Sequence, residues 1–284
     1  MDDKADTGKS WKNPRYFHSA GAKKVADSLL LGEKLRAQTA AGLALGTFVI
    51  ELPNSATLTA LSLAGFDFVV LDMEHSSIDF STLEPLVVAA QAVGLATLVR
   101  IWGEDPGLIG KVLDMGAHGI MAPHVNSPER ARAIVDQARF PPHGRRGFSP
   151  LTKYDALSAP LRALGRSTYV VAQIEAKTAM ERVTDIASVD GIDAVFVGPY
   201  DLALSLGVRP GSPRVFSAAD RMAKRVPPTV ALGIYIDDAA TCGAWAARRF
   251  ALQCVSFDGR MLANGARAVV EQARRGRAGR RKRE

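Results

Sequence analysis

Eight short apolar segments rich in β-branched and aromatic residues recur along the chain, at Leu43–Ile50, Phe66–Leu71, Ala96–Ile101, Gly119–Val125, Tyr169–Ile174, Ala194–Val197, Val230–Ile236 and Phe250–Phe257. Each is short enough to be a parallel strand buried on both faces. Helix signatures fill the gaps between them. Ser81 with Glu84 reads as a capping box ahead of an apolar face of Leu83, Leu86, Val87 and Ala90, and Gly94 sits where that helix would stop. Asp105-Pro106 and Ser127-Pro128 each set a capping side chain before a proline at the first helical position. Thr178 with Glu181 offers a further box, and Asp237 precedes the pattern Cys242, Trp245, Ala246.

Eight strands alternating with helices, and no domain-splitting linker, predict a single (β/α)8 TIM barrel over residues 41–273 of the α/β class. An open dinucleotide-binding sheet lacks its marker, since no GxGxxG follows the first strand. The stretch Gly207–Pro228 is the least regular, interrupted by Pro210, Pro213, Pro227 and Pro228. Residues 1–40 read as a polar N-terminal helical extension packing outside the barrel, and residues 274–284 as a disordered basic tail.

At 284 residues with 47% hydrophobic and 23% charged, the chain can build a large core without cross-links. Cys242 and Cys254 form no CxxC pair, which points to a reducing compartment. The opening Met-Asp-Asp-Lys-Ala-Asp is not a signal-peptide pattern and no apolar run is long enough to span a bilayer, so a cytoplasmic protein without membrane contact is expected. The net charge of +7 suggests a polyanion partner until it is located: residues 274–284 carry six Arg and one Lys against Glu284, leaving +1 for the rest. Nucleic-acid binding is therefore not expected.

In a TIM barrel the C-terminal strand ends share one mouth. There the chain places Asp72, Glu74 and His75 after the second strand, Arg100 after the third, His124 after the fourth, Gln173 and Glu175 on the fifth, Gly198-Pro199-Tyr200-Asp201 after the sixth and Asp258 after the eighth. Gln173 and Glu175, two apart, face the same way on a strand, and an inward carboxylate must be paired or bind a cation. Glu175 reads equally as a metal ligand or as a buried partner of Arg100, and Asp201 as a ligand or a helix N-cap. Two oxygen ligands without Cys or paired His suit Mg2+ or Mn2+, other divalent ions remaining open. His75 is a candidate base or an ordinary loop histidine; Asp72 and Asp114 are candidate carboxylates to fix its tautomer. Arg100 has the fork that grips a carboxylate, or else makes an internal ion pair, and His124 reads as a wall residue. The segment Pro141-Pro142-His143-Gly144-Arg145-Arg146-Gly147 is a basic loop over the mouth or a surface connection.

The runs GFDFVVLDMEH (65–75), LVR (98–100), KVLDMGAHGIMAPHV (111–125), ARFPPHGRRGF (138–148), VAQIEAKTAM (171–180) and VFVGPYDLALSLG (195–207), in this order, resemble the HpcH/HpaI aldolases, metal-dependent pyruvate aldolases whose range extends to 2-keto-3-deoxy-sugar-acid aldolases and macrophomate synthase. The resemblance implies Glu175 and Asp201 as metal ligands, Arg100 as the contact to pyruvate or its enolate, Gln173 beside the substrate, His75 as catalytic base with Asp72 and Asp114 near it, and the turn Gly198-Pro199-Tyr200-Asp201 holding the pyruvate carboxylate through its backbone amides. It implies cleavage or formation of a 4-hydroxy-2-oxo acid through pyruvate enolate, and a homo-oligomer, a hexamer or trimer of dimers with its C-terminal helix exchanged. Tyr200 stands where an alanine is common, so the aldehyde pocket is expected to be narrowed. His75→Ala and Arg100→Ala are each expected to slow turnover about a hundredfold or more while leaving the fold intact. Two rivals share the sequence: a macrophomate-synthase-like or oxaloacetate-decarboxylating enzyme using the same enolate, and an inactive barrel that binds an acidic partner through its basic tail.

Overall fold

The computed structural model describes residues 30–103, 105, 107–148 and 168–281, with side chains up to residue 275. Eight parallel strands pair in sequence order and close, β8 against β1, into a barrel. They are β1 (Ala44–Val49), β2 (Phe68–Asp72), β3 (Ala96–Arg100), β4 (Gly119–Ala122), β5 (Tyr169–Ile174), β6 (Ala194–Val197), β7 (Ala231–Ile236) and β8 (Phe250–Phe257). Every one falls on an expected apolar run. Because side chains alternate along a strand, Phe68 and Val70, Leu98, Met121, Tyr169 and Val171, and Phe196 fill the barrel. Their outward neighbours, among them Val69, Leu71, Val99, Val170 and Val195, pack against the helices in a second cluster. Gly46 is required by this filling, since a Cβ there would lie 2.3 Å from the Phe68 ring.

The helices among the described residues are α1 (Leu31–Ala40), α2 (Ser55–Ala64), α3 (Phe80–Ala92), α4 (Gly107–Asp114), α5 (Pro128–Ala138), α6 (Lys177–Glu181), α7 (Val183–Ala187), α8 (Pro199–Ser205), α9 (Pro213–Ala223), α10 (Cys242–Ala246) and α11 (Asp258–Arg281). Ser127 caps α5 as expected, accepting from Arg130 N, with Pro128 at its first position. Asp105 caps α4 as expected too, accepting from Gly107 N at 2.8 Å, whereas the remaining caps shift. Asp79 rather than Ser81 caps α3, accepting from Thr82 N, and Ser81 donates to Asp79 instead. At α6 Thr178 has no capping role; its start is held by Lys177 N on Ser205 Oγ. Asp238, one residue after Asp237, caps the 3-10 turn Ala239–Thr241 ahead of α10. Pro106 lies outside the described residues, as do residues 1–29 of the N-terminal extension and residues 282–284 of the tail.

Two expectations about the ends change. Of the N-terminal stretch 1–40, the described helix α1 packs against the barrel itself: Leu35 is fully buried among the barrel-interior residues, Arg36 pairs with Asp193 at 2.9 Å, and Thr39 Oγ1 lies 3.2 Å from the Tyr169 hydroxyl. An apolar residue on an otherwise polar helix is enough to plug the N-terminal end of a barrel. The basic tail is not without structure either, since α11 continues through residue 274 to Arg281, with Arg275 reaching Glu271 one turn back at 3.4 Å. The segment 141–147 is the surface connection, not a loop over the mouth. It follows α5 at the N-terminal end of the strands, where Arg145 pairs with Asp136 at 2.6 Å and Arg146 with Asp114 at 2.7 Å. No helix among the described residues is long and apolar enough to cross a membrane.

Candidate active site

The alternation that fills the barrel also delivers polar groups to its mouth. Continuing inward from Phe68 and Val70 brings Asp72, and from Ala96 and Leu98 brings Arg100; their Cα atoms are register partners across β2 and β3. Arg100 grips Asp72 with two prongs, Nε to Oδ1 at 2.8 Å and Nη2 to Oδ2 at 2.5 Å. Asp72 is fully buried and Arg100 only 8% exposed, so each needs the other. Asp72 Oδ1 also accepts from the backbone of Glu74 at 3.0 Å and His75 at 3.3 Å, shaping the turn that presents both. Arg100 lies 3.4 Å from Glu74 Oε2 and over the Phe48 ring at 4.9 Å. Burial alone would lower the guanidinium's pKa, but the hydrogen bond and charge of Asp72, with Glu74 and Glu175, carry it upward.

On β5, Gln173 and Glu175 face inward together, as their spacing requires, and Gln173 Nε2 donates to Glu175 Oε2 at 2.5 Å. Glu175 is 3% exposed, and burial raises its pKa; the His124 amide and ring act against this, while Glu74 and Asp201 add to it. Asp201 therefore lies near enough for its charge to be felt at Glu175. The N-cap alternative for Asp201 does not apply: Gly198 is the cap residue of α8, and Asp201 sits in the first turn. The salt-bridge alternative for Glu175 is also replaced, because the ion pairs of Arg100 are with Asp72 and Glu74. Gly198 is dictated by proximity, since a Cβ there would meet Gln173 Nε2 at 2.9 Å and Glu175 Oε2 at 3.0 Å. Its own amide donates to Ile174 O and Pro199 has none, so the donors facing out of this turn are Tyr200 N and Asp201 N, which lack intrahelical partners.

Two of the expected partners of His75 stand elsewhere. Asp72 faces Arg100, and Asp114 closes α4 near the N-terminal strand ends, paired with Arg146. The carboxylate beside His75 is Glu74, whose Oε2 lies 3.7 Å from Nε2 of a ring that is 62% exposed. His124 is more than a wall. It adopts φ 54°, a left-handed conformation unusual for a residue with a side chain. Both its backbone N, at 2.7 Å, and its Nδ1, at 2.8 Å, reach Glu175 Oε1, while Nε2 lies 3.3 Å from Glu74 Oε1. Glu74 and His124 thus tie Glu175 to Arg100. Asp258, also at a strand end, is structural, accepting from the amides of Ile50, Glu51, Leu52 and Gly259.

The groups open onto a cavity of about 210 Å3, walled by His75, Arg100, Gln173, Tyr200 and Asp201 with Phe48 and Phe196 at its floor. Gln173 Oε1 is buried without a hydrogen-bond partner, an acceptor that a ligand would satisfy. Among the described residues no group of three or more His, Cys, Asp or Glu is arranged to hold a metal ion. What stands at the mouth is a two-carboxylate oxygen set next to a buried amide acceptor, which suits a hard cation that completes its shell with water and substrate oxygens.

The profile of the HpcH/HpaI aldolase/citrate lyase family matches residues 45–265. A hydroxypyruvate/pyruvate aldolase of Rhizorhabdus wittichii is 35% identical over 231 residues, 79% of this chain and 92% of that protein. The crystal structure of an HpcH/HpaI aldolase from Desulfitobacterium hafniense superposes with a TM-score of 0.77 at 30% identity, covering 84% of this chain and 95% of that one. Macrophomate synthase, at 23% identity and a TM-score of 0.74 over 87% of this chain and 89% of its own, shares the fold. With a closed barrel, an Arg–Asp fork and acidic groups gathered at the strand ends, the chain belongs to the HpcH/HpaI aldolase/citrate lyase family and is an enzyme of the aldolase class.

Proposed function

We propose that this enzyme cleaves, or in reverse forms, the C3–C4 bond of a 4-hydroxy-2-oxo acid, giving pyruvate and an aldehyde with the help of a divalent ion, Mg2+ or Mn2+. The observation that carries the reading is the mouth cavity, where a buried, unpartnered Gln173 Oε1 lies beside Glu175 and the Arg100 fork faces it from β3. Glu175 and Asp201 would hold the ion, whose chemistry when bound is Lewis-acid polarisation of the 2-oxo group. Arg100, held rigid by Asp72, places positive charge where the enolate oxygen develops. Tyr200 N and Asp201 N offer donors to the substrate carboxylate. His75, on the exposed side of the cavity, takes the C4 hydroxyl proton; the C3–C4 pair passes to C3 as the aldehyde carbonyl forms. Glu74, 3.7 Å from His75, supports the protonated ring.

The family relationship supports pyruvate as the common product, since the Rhizorhabdus relative carries it in its name at 35% identity, whereas the likeness to macrophomate synthase is one of fold. A homo-oligomer belongs to the same proposal, supported by Leu262, Val269 and Val270 standing exposed along α11. The test is pyruvate release from a panel of 4-hydroxy-2-oxo acids, and from oxaloacetate, with Mg2+ or with EDTA. Metal-dependent release from at least one is expected. No metal-dependent release from any, together with salt-sensitive binding of an acidic partner that vanishes on deleting residues 274–284, would replace the proposal with the binding role.

A further inference from the structure

Next to the mouth cavity lies a second one of about 400 Å3, between α8, α9, α10 and the end of β7, with Val215, Phe216, Ile236 and Trp245 in its walls. The two cavities have Pro199, Tyr200 and Tyr235 in common. The two tyrosine rings lie 5.7 Å apart at an angle of 55°. Both hydroxyls donate to one carboxylate, Tyr200 to Asp237 Oδ2 at 2.7 Å and Tyr235 to Oδ1 at 3.1 Å. Arg260, from the first turn of α11, donates to the same Oδ1 and lies 4.7 Å over the Phe257 ring. Tyr235 is braced from behind by Phe48 at 6.0 Å. Arg260 faces the mouth and Asp237 the second cavity, so the four side chains make a wall with one face in each. Burial, and then the neighbouring Asp237, push both phenols upward, which keeps them as protonated donors across the neutral range.

We propose that this Tyr200–Tyr235–Asp237–Arg260 partition determines the length of the aldehyde. The inference rests on the aldolase reading and goes past it to the substrate class. The mouth cavity of about 210 Å3 corresponds to roughly seven waters' share of liquid volume. That lies under the ~300–1,000 Å3 usual for ligand pockets, and the pyruvate half of the substrate must share it. With the partition closed, the space left suits short aldehydes such as glycolaldehyde. A sugar-length aldehyde would have to extend into the 400 Å3 cavity, through the position the two rings occupy. Asp237 is the latch, because it receives hydrogen bonds from all three other members. Its side chain is 51% exposed, so its removal opens no hole in the core.

The experiment compares wild type with Asp237→Ala and Tyr235→Ala in Mg2+. It measures kcat/KM for pyruvate addition to glycolaldehyde and to a six-carbon sugar aldehyde, alongside deuterium exchange at pyruvate C3, which needs no aldehyde. The wild type is expected to favour the short acceptor, and each variant to raise the long-to-short ratio about tenfold or more, with exchange within about twofold of wild type. An unchanged or lower ratio in both variants, with exchange intact, overturns the partition and leaves the aldolase reading standing. Absence of exchange in the wild type overturns the aldolase reading and the partition with it.

Discussion

Replacing Arg100 by alanine should weaken the fold as well as the chemistry. Asp72 is fully buried, and its two-pronged contact with Arg100, at 2.8 and 2.5 Å, would be lost. Stripping one partner from such a buried pair costs about 3–5 kcal/mol. The amides of Glu74 and His75, at 3.0 and 3.3 Å, would remain on Oδ1 and offset roughly 1 kcal/mol of that. Loss of the guanidinium over Phe48 at 4.9 Å adds about 0.5–1 kcal/mol back. The net expectation is a loss of about 2.5–5 kcal/mol, or roughly 5–20 °C in Tm for a domain of this size. Urea unfolding of wild type, Arg100→Ala, Asp72→Asn and the double variant measures it. The cycle should return a coupling energy of about 2–3 kcal/mol. A loss below about 1 kcal/mol, or additive single effects, would refute the reasoning. Turnover, assayed well below the lower Tm, should fall about a hundredfold or more. For Arg100→Ala the buried pairing with Asp72 thus replaces the sequence-based expectation of an unaffected fold with an expected loss of stability, which the unfolding experiment decides.

His75→Ala is the contrasting case. The ring is 62% exposed and its nearest charged neighbour is 3.7 Å away, so Tm should move by no more than about 1–2 °C while turnover falls about a hundredfold; thermal melts and initial rates check both, and near-wild-type rates would remove its role as base. Glu175→Gln should separate stability from function in the metal-free protein. Burial holds the Glu175 carboxyl above its unfolded value, so its ionisation costs stability above the folded pKa, and that cost disappears as pH falls through it. Metal-free Glu175→Gln is thus expected to be more stable than wild type by about 0.5–2 kcal/mol at neutral pH, with the gap closing on acidification. A less stable variant at neutral pH would show that burial does not dominate at Glu175.

The barrel was legible because a two-faced parallel strand has no polar alternation to blur it, and all eight runs became strands. The same period made Gln173, Glu175 and Arg100 legible as inward groups. Local hydrogen-bond choice was harder to read. Ser81 and Asp79 both have capping side chains within two residues of the start of α3, and only the entry path of the chain selects Asp79. Glu74 and His124 were placed at the mouth by the strand pattern, but their roles were not legible, for a different reason. Glu74 sits between two residues with obvious roles, and the reach of His124 depends on φ 54°, which nothing in Pro123-His124-Val125 announces. Asp114 went the other way. It shares a motif with the site residues, but the helix that carries it runs from the mouth to the opposite end of the barrel, where it pairs with Arg146 within the chain.

The most direct test of the central claim is a Mn2+ titration of metal-stripped wild type, Glu175→Gln and Asp201→Asn, followed by calorimetry or by the loss of the free-ion electron-paramagnetic-resonance signal. The expected result is one ion per wild-type chain and an affinity weakened by more than about a hundredfold in each variant, tightest at alkaline pH because protons compete at the buried Glu175. Binding that is equally tight in both variants would contradict the assignment of Glu175 and Asp201 as the residues that hold the cation.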